Sequence, residues 1–275
     1  MCTVSFIPLI DDRGGLRIVC NRDEKRSRPA ASMPREQRQG QRRALYPLDP
    51  AGGGTWIAAS DAGVVLLLLN VNESSSASGI AEGPQRRSRG LIITSLLHLG
   101  GVDEMVQACL RLRAAQFKPF QLVIVSIGGA IVLHSDGVVI RCIGAVLPQC
   151  VAMFTSSGLG DHLVEPPRRA LFDTMLGDGL HSAARQDAFH RHHWIDRPHL
   201  SVQMSREDAR TVSRTVIELK HDQIMMHYAT LDECGLETDT VTCLLPVHLD
   251  ALDLEAGIGF GFMPADAIVA GGAAK

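Results

Sequence analysis

Apolar positions in the first seventy residues form short runs of the length typical of β-strands. Residues 3–10 and 16–20 flank a Gly-containing turn, which predicts a β-hairpin. Residues 55–59 and 63–71 predict two more strands. The second of these contains the run VVLLLL without alternation, so we expect both of its faces to be buried. The polar segment 25–52, rich in Arg, Pro and Gly, predicts a long surface loop.

Farther along the chain, predicted helices come in clusters between clusters of predicted strands. Apolar spacing predicts helices over residues 89–98, 102–115, 168–176 (opened by Pro166-Pro167) and 182–194. Strands are predicted over residues 121–127, 130–134, 137–143, 150–155, 223–229 and 240–247. Ser205 is predicted to cap one more helix, because Val212, Val216 and Leu219 would then share a face. This order is typical of an α+β fold with helices packed on the outer faces of antiparallel sheets.

The pattern contains no second domain boundary. We therefore predict one domain over residues 1–250 and a weakly patterned tail over residues 251–275. Residues 73–87, which are rich in Ser and Gly, predict a loop inside the domain.

Composition and charge narrow the class of protein. Hydrophobic residues make up 45% of the chain, charged residues 21%, and the net charge is -3, so nothing in the bulk favours nucleic acid or anionic membranes. The longest uninterrupted apolar run, residues 64–69, is too short to span a bilayer. The seven cysteines form no CxxC pair and are odd in number, which favours a reducing compartment over a disulfide framework. Because the N-terminus lacks the features of a signal peptide, we expect a cytoplasmic protein.

The second residue, Cys2, is the leading candidate for chemistry. Cysteine is small enough for the initiator Met1 to be removed, which would leave a free α-amine on Cys2. Such an amine has a pKa of roughly 7.7–8.0 and could take the proton from its own thiol, so that one residue is both nucleophile and base. The alternative is that a cysteine stands second by chance and has no catalytic role.

Three polar residues at the ends of predicted strands could serve this cysteine. Arg22 would lower the pKa of a nearby thiol, and Asp23 could orient the arginine or the amine. Neighbours in an extended strand point to opposite faces, so both reach one site only if the strand ends or bulges there. Asn70, or its neighbour Asn72, could donate a hydrogen bond to a developing oxyanion. The alternative is that these residues are a solvated strand end and an amide bonded to nearby backbone.

Together these motifs resemble a known family. The chain begins MCT, continues with CNRDE at residues 20–24 and GGGTW at residues 52–56, and then has a strand that ends in Asn70. This combination resembles the NRDE family, also called the transport-and-Golgi-organisation family, most closely over residues 1–100. The family resembles the cysteine N-terminal-nucleophile amidases, which include bile-salt hydrolases and penicillin V acylases.

The resemblance implies a four-layer αββα sandwich and a catalytic role for Cys2, Arg22, Asp23 and Asn70. It also implies two substrate-binding positions at which this chain departs from the amidases. Ser156 stands where the amidases have an asparagine, and Asp239 stands where they have an arginine. If Asp239 faces the site, its charge disfavours a thiolate, an oxyanion and an anionic acyl group.

Two other clusters have weaker interpretations. The run His190-Arg191-His192-His193 lacks an accompanying carboxylate or cysteine ligand pattern, so we interpret it as a solvated helix end rather than a metal site. The basic segment 25–43 has no interleaved aromatic residues, which argues against nucleic acid as a partner. We predict no cofactor and a small molecule as the partner, and nothing in the sequence specifies an oligomeric state.

Two classes of function remain open at this point. The first is an amidase-like hydrolase that cleaves a linear, non-peptide C–N bond. The second is a catalytically reduced protein that binds or carries a small ligand such as haem or an acyl lipid, since the resembled family has been linked to haem movement and lipid metabolism. Turnover that depends on Cys2 would favour the first, and binding that survives Cys2→Ala would favour the second.

Overall fold

The computed structural model describes residues 2–9, 14–72, 86–177 and 179–248. Its centre is two antiparallel sheets packed face to face. The predicted tail and most of the predicted loop over residues 73–87 lie outside the described residues.

The first sheet has six strands and contains both ends of the described chain. Its spatial order is β10-β1-β2-β11-β12-β13. The bounds are β1 Cys2–Pro8, β2 Leu16–Lys25, β10 Ala152–Thr155, β11 Ala209–Leu219, β12 Gln223–Leu231 and β13 Glu237–Pro246. The predicted hairpin is confirmed, because β1 and β2 are antiparallel and pair Cys2 with Arg22.

The second sheet has seven strands in sequence order from β3 to β9. The bounds are β3 Arg35–Gln39, β4 Arg42–Tyr46, β5 Ile57–Ser60, β6 Val64–Asn70, β7 Phe120–Ser126, β8 Gly129–Ser135 and β9 Ile140–Val146. As predicted from its unbroken apolar run, β6 is buried on both faces.

Helices cover the outer face of each sheet and complete four layers. The helices α1 Gly90–Leu96 and α2 Val102–Leu110 pack on the second sheet, and α3 Asp161–Leu176 and α4 Ala183–His190 pack on the first. A larger apolar cluster, to which both sheets contribute, fills the space between them. The predicted αββα sandwich is therefore confirmed.

The predicted helix from Ser205 is wrong, since residues 209–219 form strand β11. Burial along β11 alternates, with Thr211, Ser213 and Thr215 inside. Both of its edges are paired, to β2 and to β12. β-branched residues suit this pleated surface, and pairing on both sides outweighs the weak helical spacing.

Three local predictions also need correction. The segment 25–52 is not one long loop, because it contains β3 and β4. Helix α3 begins at Asp161, so Pro166 and Pro167 lie inside it instead of at its start. His190 is not at a solvated helix end: it is fully buried, and its Nε2 atom lies 2.7 Å from the hydroxyl of Ser5.

Candidate active site

A cavity of about 710 Å³ lies at the ends of β1, β2 and β6, and three of the six predicted site residues line it. Cys2, Arg22 and Asn70 all contribute to its wall. Its volume is within the range of small-molecule sites, roughly 300–1,000 Å³. The structure thus brings together three residues that are distant in the sequence and that were singled out separately.

Cys2 is the first residue of β1 and is buried, with its side chain on the face of the sheet that meets the second sheet. Its backbone nitrogen donates a hydrogen bond of 3.3 Å to the hydroxyl of Ser156, and its carbonyl accepts one of 2.9 Å from the Ser156 amide. Ser156 is fully buried and contacts Cys2 itself, and it does not line the cavity.

A second cysteine, Cys20, is hydrogen-bonded to Cys2 and was not singled out from the sequence. Val4 pairs with Cys20 and Cys2 with Arg22, so the two thiols are diagonal neighbours on one face of the hairpin. The hydrogen bond from Cys20 lowers the pKa of Cys2 against the opposing effect of burial, with help from the charge of Arg22. The same bond, together with burial, raises the pKa of Cys20 well above its usual value. Of the two thiols, Cys20 is therefore the one that donates this hydrogen bond, and the sulfur of Cys2 accepts it.

Arg22 is held in the cavity wall by acidic and aromatic neighbours. Its guanidinium lies 3.4 Å from a carboxylate oxygen of Glu24 and 3.7 Å from one of Asp49. It also stacks over the ring of Trp56 at 4.0 Å, a cation–π contact. Arg28 bonds the same two carboxylates, which closes a network of two cations and two anions. Asp49 and Trp56 are far from Arg22 in sequence, and no local pattern indicated this network.

Asp23 points to the other face of the sheet, toward the helices. It is buried and accepts a hydrogen bond of 2.7 Å from Thr211. Burial raises the pKa of its carboxyl, while the positive charge of Arg168 opposes that rise. A bulge between Thr211 and Ser213 lies opposite Arg22 and Asp23, but it is in β11 and not in β2. Because β2 stays regular, Arg22 and Asp23 remain on opposite faces, and Asp23 does not line the cavity.

Asn70 and Asn72 have different environments at the end of β6. The backbone nitrogen of Asn72 donates a hydrogen bond of 2.8 Å to Asp161 at the start of α3, which ties the two sheets together. The side chain of Asn70 has no hydrogen-bond partner among the described residues, so its amide can donate to a group in the cavity. Of the two candidates, Asn70 is the one whose side chain is available.

Asp239 is not brought to this cavity. It is an exposed residue of β13, the outer strand of the first sheet, and β13 is separated from β1 by three other strands. At about 4.8 Å per strand, the separation is on the order of 19 Å. Asp239 does not line the cavity, so its charge does not disfavour an anionic acyl group there.

The GGGTW motif has a packing role at the cavity wall. A Cβ atom on Gly54 would lie 2.3 Å from the backbone carbon of Gly90, so only glycine allows this loop to touch the start of α1. The amide of Thr55 donates to the Gly90 carbonyl at 3.2 Å. This contact places Arg89, the residue before α1, in the cavity wall, where it donates a hydrogen bond of 2.8 Å to the Pro119 carbonyl.

The four layers, with a cysteine at the start of a central strand and in a cavity at the strand ends, define an N-terminal-nucleophile hydrolase-like fold. Residues 1–154 match the model of the family described as Transport and Golgi organisation 2, and the chain belongs to this family. It is the same family as the NRDE family named above. None of the curated proteins matches the chain.

Solved structures that are similar to the chain include two named for hydrolase activities. An orthologue of N-acylethanolamine-hydrolyzing acid amidase from Caenorhabditis elegans is 12% identical with a TM-score of 0.54, over 79% of this chain and 92% of the other. A Cys2→Ala mutant of conjugated bile acid hydrolase from Clostridium perfringens is 13% identical with a TM-score of 0.47, over 90% of this chain and 97% of the other. At these identities the likeness concerns the fold alone. None of the helices in the described ranges is long and apolar enough to cross a membrane.

Proposed function

We propose that this protein is an amidohydrolase that cleaves a linear, non-peptide C–N bond, with Cys2 as the nucleophile after removal of Met1. The observation that carries the proposal is that Cys2, Arg22 and Asn70 line one cavity of small-molecule size. The lowered pKa of the Cys2 thiol supports it, because the thiolate is the nucleophilic form.

In the acylation step, the Cys2 sulfur attacks the amide carbonyl and the thiol proton passes to the α-amine. Ser156 would accept an N–H of this amine, which leaves the nitrogen lone pair free to take the proton. Asn70 would donate to the oxyanion of the tetrahedral intermediate. The α-ammonium then gives the proton to the leaving nitrogen, the C–N bond breaks, and a thioester remains on Cys2.

In the deacylation step, water attacks the thioester carbonyl and gives its proton to the α-amine. The C–S bond breaks, the carboxylic acid leaves, and Cys2 regains its proton. Asp23 has an indirect role in this proposal. Its side chain is on the face of β2 opposite that of Arg22, where its hydrogen bond from Thr211 joins β2 to β11.

Processing is the first test, because a peptide-bonded nitrogen cannot act as the base. The intact mass of protein made in cells is expected to lack Met1. A thiol-reactive analogue of an acyl amide should then add the mass of one molecule to the protein, and peptide mapping should locate this covalent adduct on Cys2. Cys234, an exposed thiol in the turn before β13, provides the control. Cys234→Ser should keep the Cys2 adduct, and Cys2→Ala should lose it.

Turnover is the second test, with N-dodecanoylethanolamine as the first substrate because the similar amidase is named for that class. Hydrolysis should be abolished in Cys2→Ala. Asn70→Ala should lower kcat by about 10²–10³, the usual cost of one oxyanion donor. Met1 retained quantitatively, or turnover that survives Cys2→Ala, would refute the proposal. Stoichiometric binding of haem or an acyl lipid without turnover, unchanged in Cys2→Ala, would instead identify a carrier protein.

A further inference from the structure

The wall of the cavity is strongly cationic, although the whole chain has a net charge of -3. Eight Lys or Arg residues and three Asp or Glu residues line it in the part of the chain that the structure describes, an excess of five positive charges. No bulk property of the sequence indicates this excess, because it is assembled from four separate segments of the chain.

Ion pairs account for only three of the eight cations. Arg22 and Arg28 share Glu24 and Asp49, and Arg206 bonds Asp208 at 2.6 Å. Within the described ranges, the other five form no ion pair, and these are Lys25, Arg86, Arg87, Arg89 and Lys118. Like charges that face one cavity repel each other in the absence of a counter-charge, so such a wall favours an anion.

Arg89 is the least exposed of the five and is held in place. The hydrogen bond to the Pro119 carbonyl holds its side chain, and the close packing of Gly54 on Gly90 holds the backbone next to it. Burial lowers the pKa of its guanidinium to about 10, which still leaves it charged at neutral pH. A half-buried guanidinium that has no carboxylate within ion-pair distance is suited to bind a planar or tetrahedral oxyanion.

We infer that the cavity binds a ligand with an anionic oxygen group, a carboxylate or a phosphate, through Arg89 and the exposed cations around it. As a statement about substrate, this inference rests on the proposed hydrolysis. It makes the favoured substrate an amide that carries a negative charge, the reverse of the selectivity expected from Asp239.

Binding can be measured without turnover in the Cys2→Ala protein. The chain has two tryptophans, so Trp194→Phe leaves Trp56 in the cavity wall as the only indole reporter. Three probes with the same acyl chain are compared by fluorescence titration: N-dodecanoylethanolamine, N-dodecanoylglycine and the O-phosphate ester of the ethanolamide. They are neutral, a carboxylate and a phosphate, respectively, so their order of affinity also distinguishes the two anions.

We expect at least one anionic probe to bind about tenfold more tightly than the neutral probe, because one charge-assisted hydrogen bond contributes enough free energy for that difference. The preference should shrink as salt is raised from 20 mM to about 500 mM, because the exposed cations are screened. Equal affinity for all three probes, or a preference that salt does not change, would overturn the inference.

A matched pair of double variants tests the named side chains. Arg87→Gln with Lys118→Gln removes two exposed cations of the cavity, and Arg111→Gln with Arg113→Gln removes two exposed cations outside it. The first pair should weaken the anionic probes about fivefold and leave the neutral probe unchanged, while the second pair should change neither. Equal weakening by both pairs would show a general effect of net charge and would overturn the inference.

The outcomes separate this inference from the proposed function. Tight anionic binding to Cys2→Ala without any hydrolysis by the wild type would refute the hydrolase and leave the anion site standing. Hydrolysis that depends on Cys2 but is as fast on the neutral amide as on both anionic amides would support the hydrolase and refute the anion site.

Discussion

Removal of the Cys20 thiol should make Cys2 less reactive at neutral pH without exposing it. The two residues are diagonal neighbours on the hairpin, and the hydrogen bond from Cys20 is the largest cause of the lowered pKa of Cys2. Cys20→Ala deletes that donor and leaves the rest of the wall in place. Without it, burial is no longer opposed to the same extent, and the pKa of Cys2 should rise.

The size of the effect follows from the strength of one hydrogen bond to a charged sulfur. Sulfur is a weak donor, so we take the lower part of the usual range, about 1 kcal/mol. That energy corresponds to a roughly fivefold smaller thiolate fraction at pH values below the pKa. Above both pKa values the thiolate is fully formed in either protein, so the two rates should converge there.

The assay is the rate of Cys2 alkylation by iodoacetamide across a pH series, read on the Cys2 peptide by mass spectrometry. Cys20→Ser restores an O–H donor and should keep the profile near that of the wild type. Cys109→Ala is the control for loss of a buried sulfur, since Cys109 is fully buried in the other apolar cluster, between α2 and the second sheet. If Cys20→Ala and Cys109→Ala both follow the wild-type profile, the hydrogen bond does not stabilise the thiolate and the reasoning is wrong.

Two further predictions concern stability. Gly54→Ala should lower the free energy of unfolding by about 1–3 kcal/mol, because the new Cβ atom would overlap the Gly90 backbone. Urea denaturation measures this, and an unchanged midpoint would contradict the prediction. His190 has a pKa lowered well below its usual value, chiefly by burial, so the unfolded state takes up a proton that the folded state resists, and stability should fall as pH drops below about 6.5. Replacement by Asn should flatten this dependence, whereas His162→Asn, at an exposed position, should not.

Local patterning was sufficient to predict the strands whose residues are largely apolar and buried. The unbroken run in β6 and the hairpin of β1 and β2 were predicted because burial of apolar side chains decides their structure. The same patterns placed Cys2 and Asn70 at strand ends, where the cavity lies, whereas Arg22 lies within β2 because this strand continues to Lys25. Strands β3 and β4 were missed because β3 is a charged edge strand, stabilised by pairing with β4 and not by an apolar face of its own.

Only the tertiary structure decided how the functional side chains face. Asp23 was separated from Arg22 because the bulge that could have reoriented one of them is in β11, which the sequence predicted as a helix. Asp239 was separated from Cys2 because β13 is the outer strand of its sheet. The sequence thus determined the hairpin, the buried strand β6, the motif and the candidate nucleophile. The cationic wall and the face of each polar residue depend on which distant strands pair and in which order. That order results from packing the two sheets and their helices against one another.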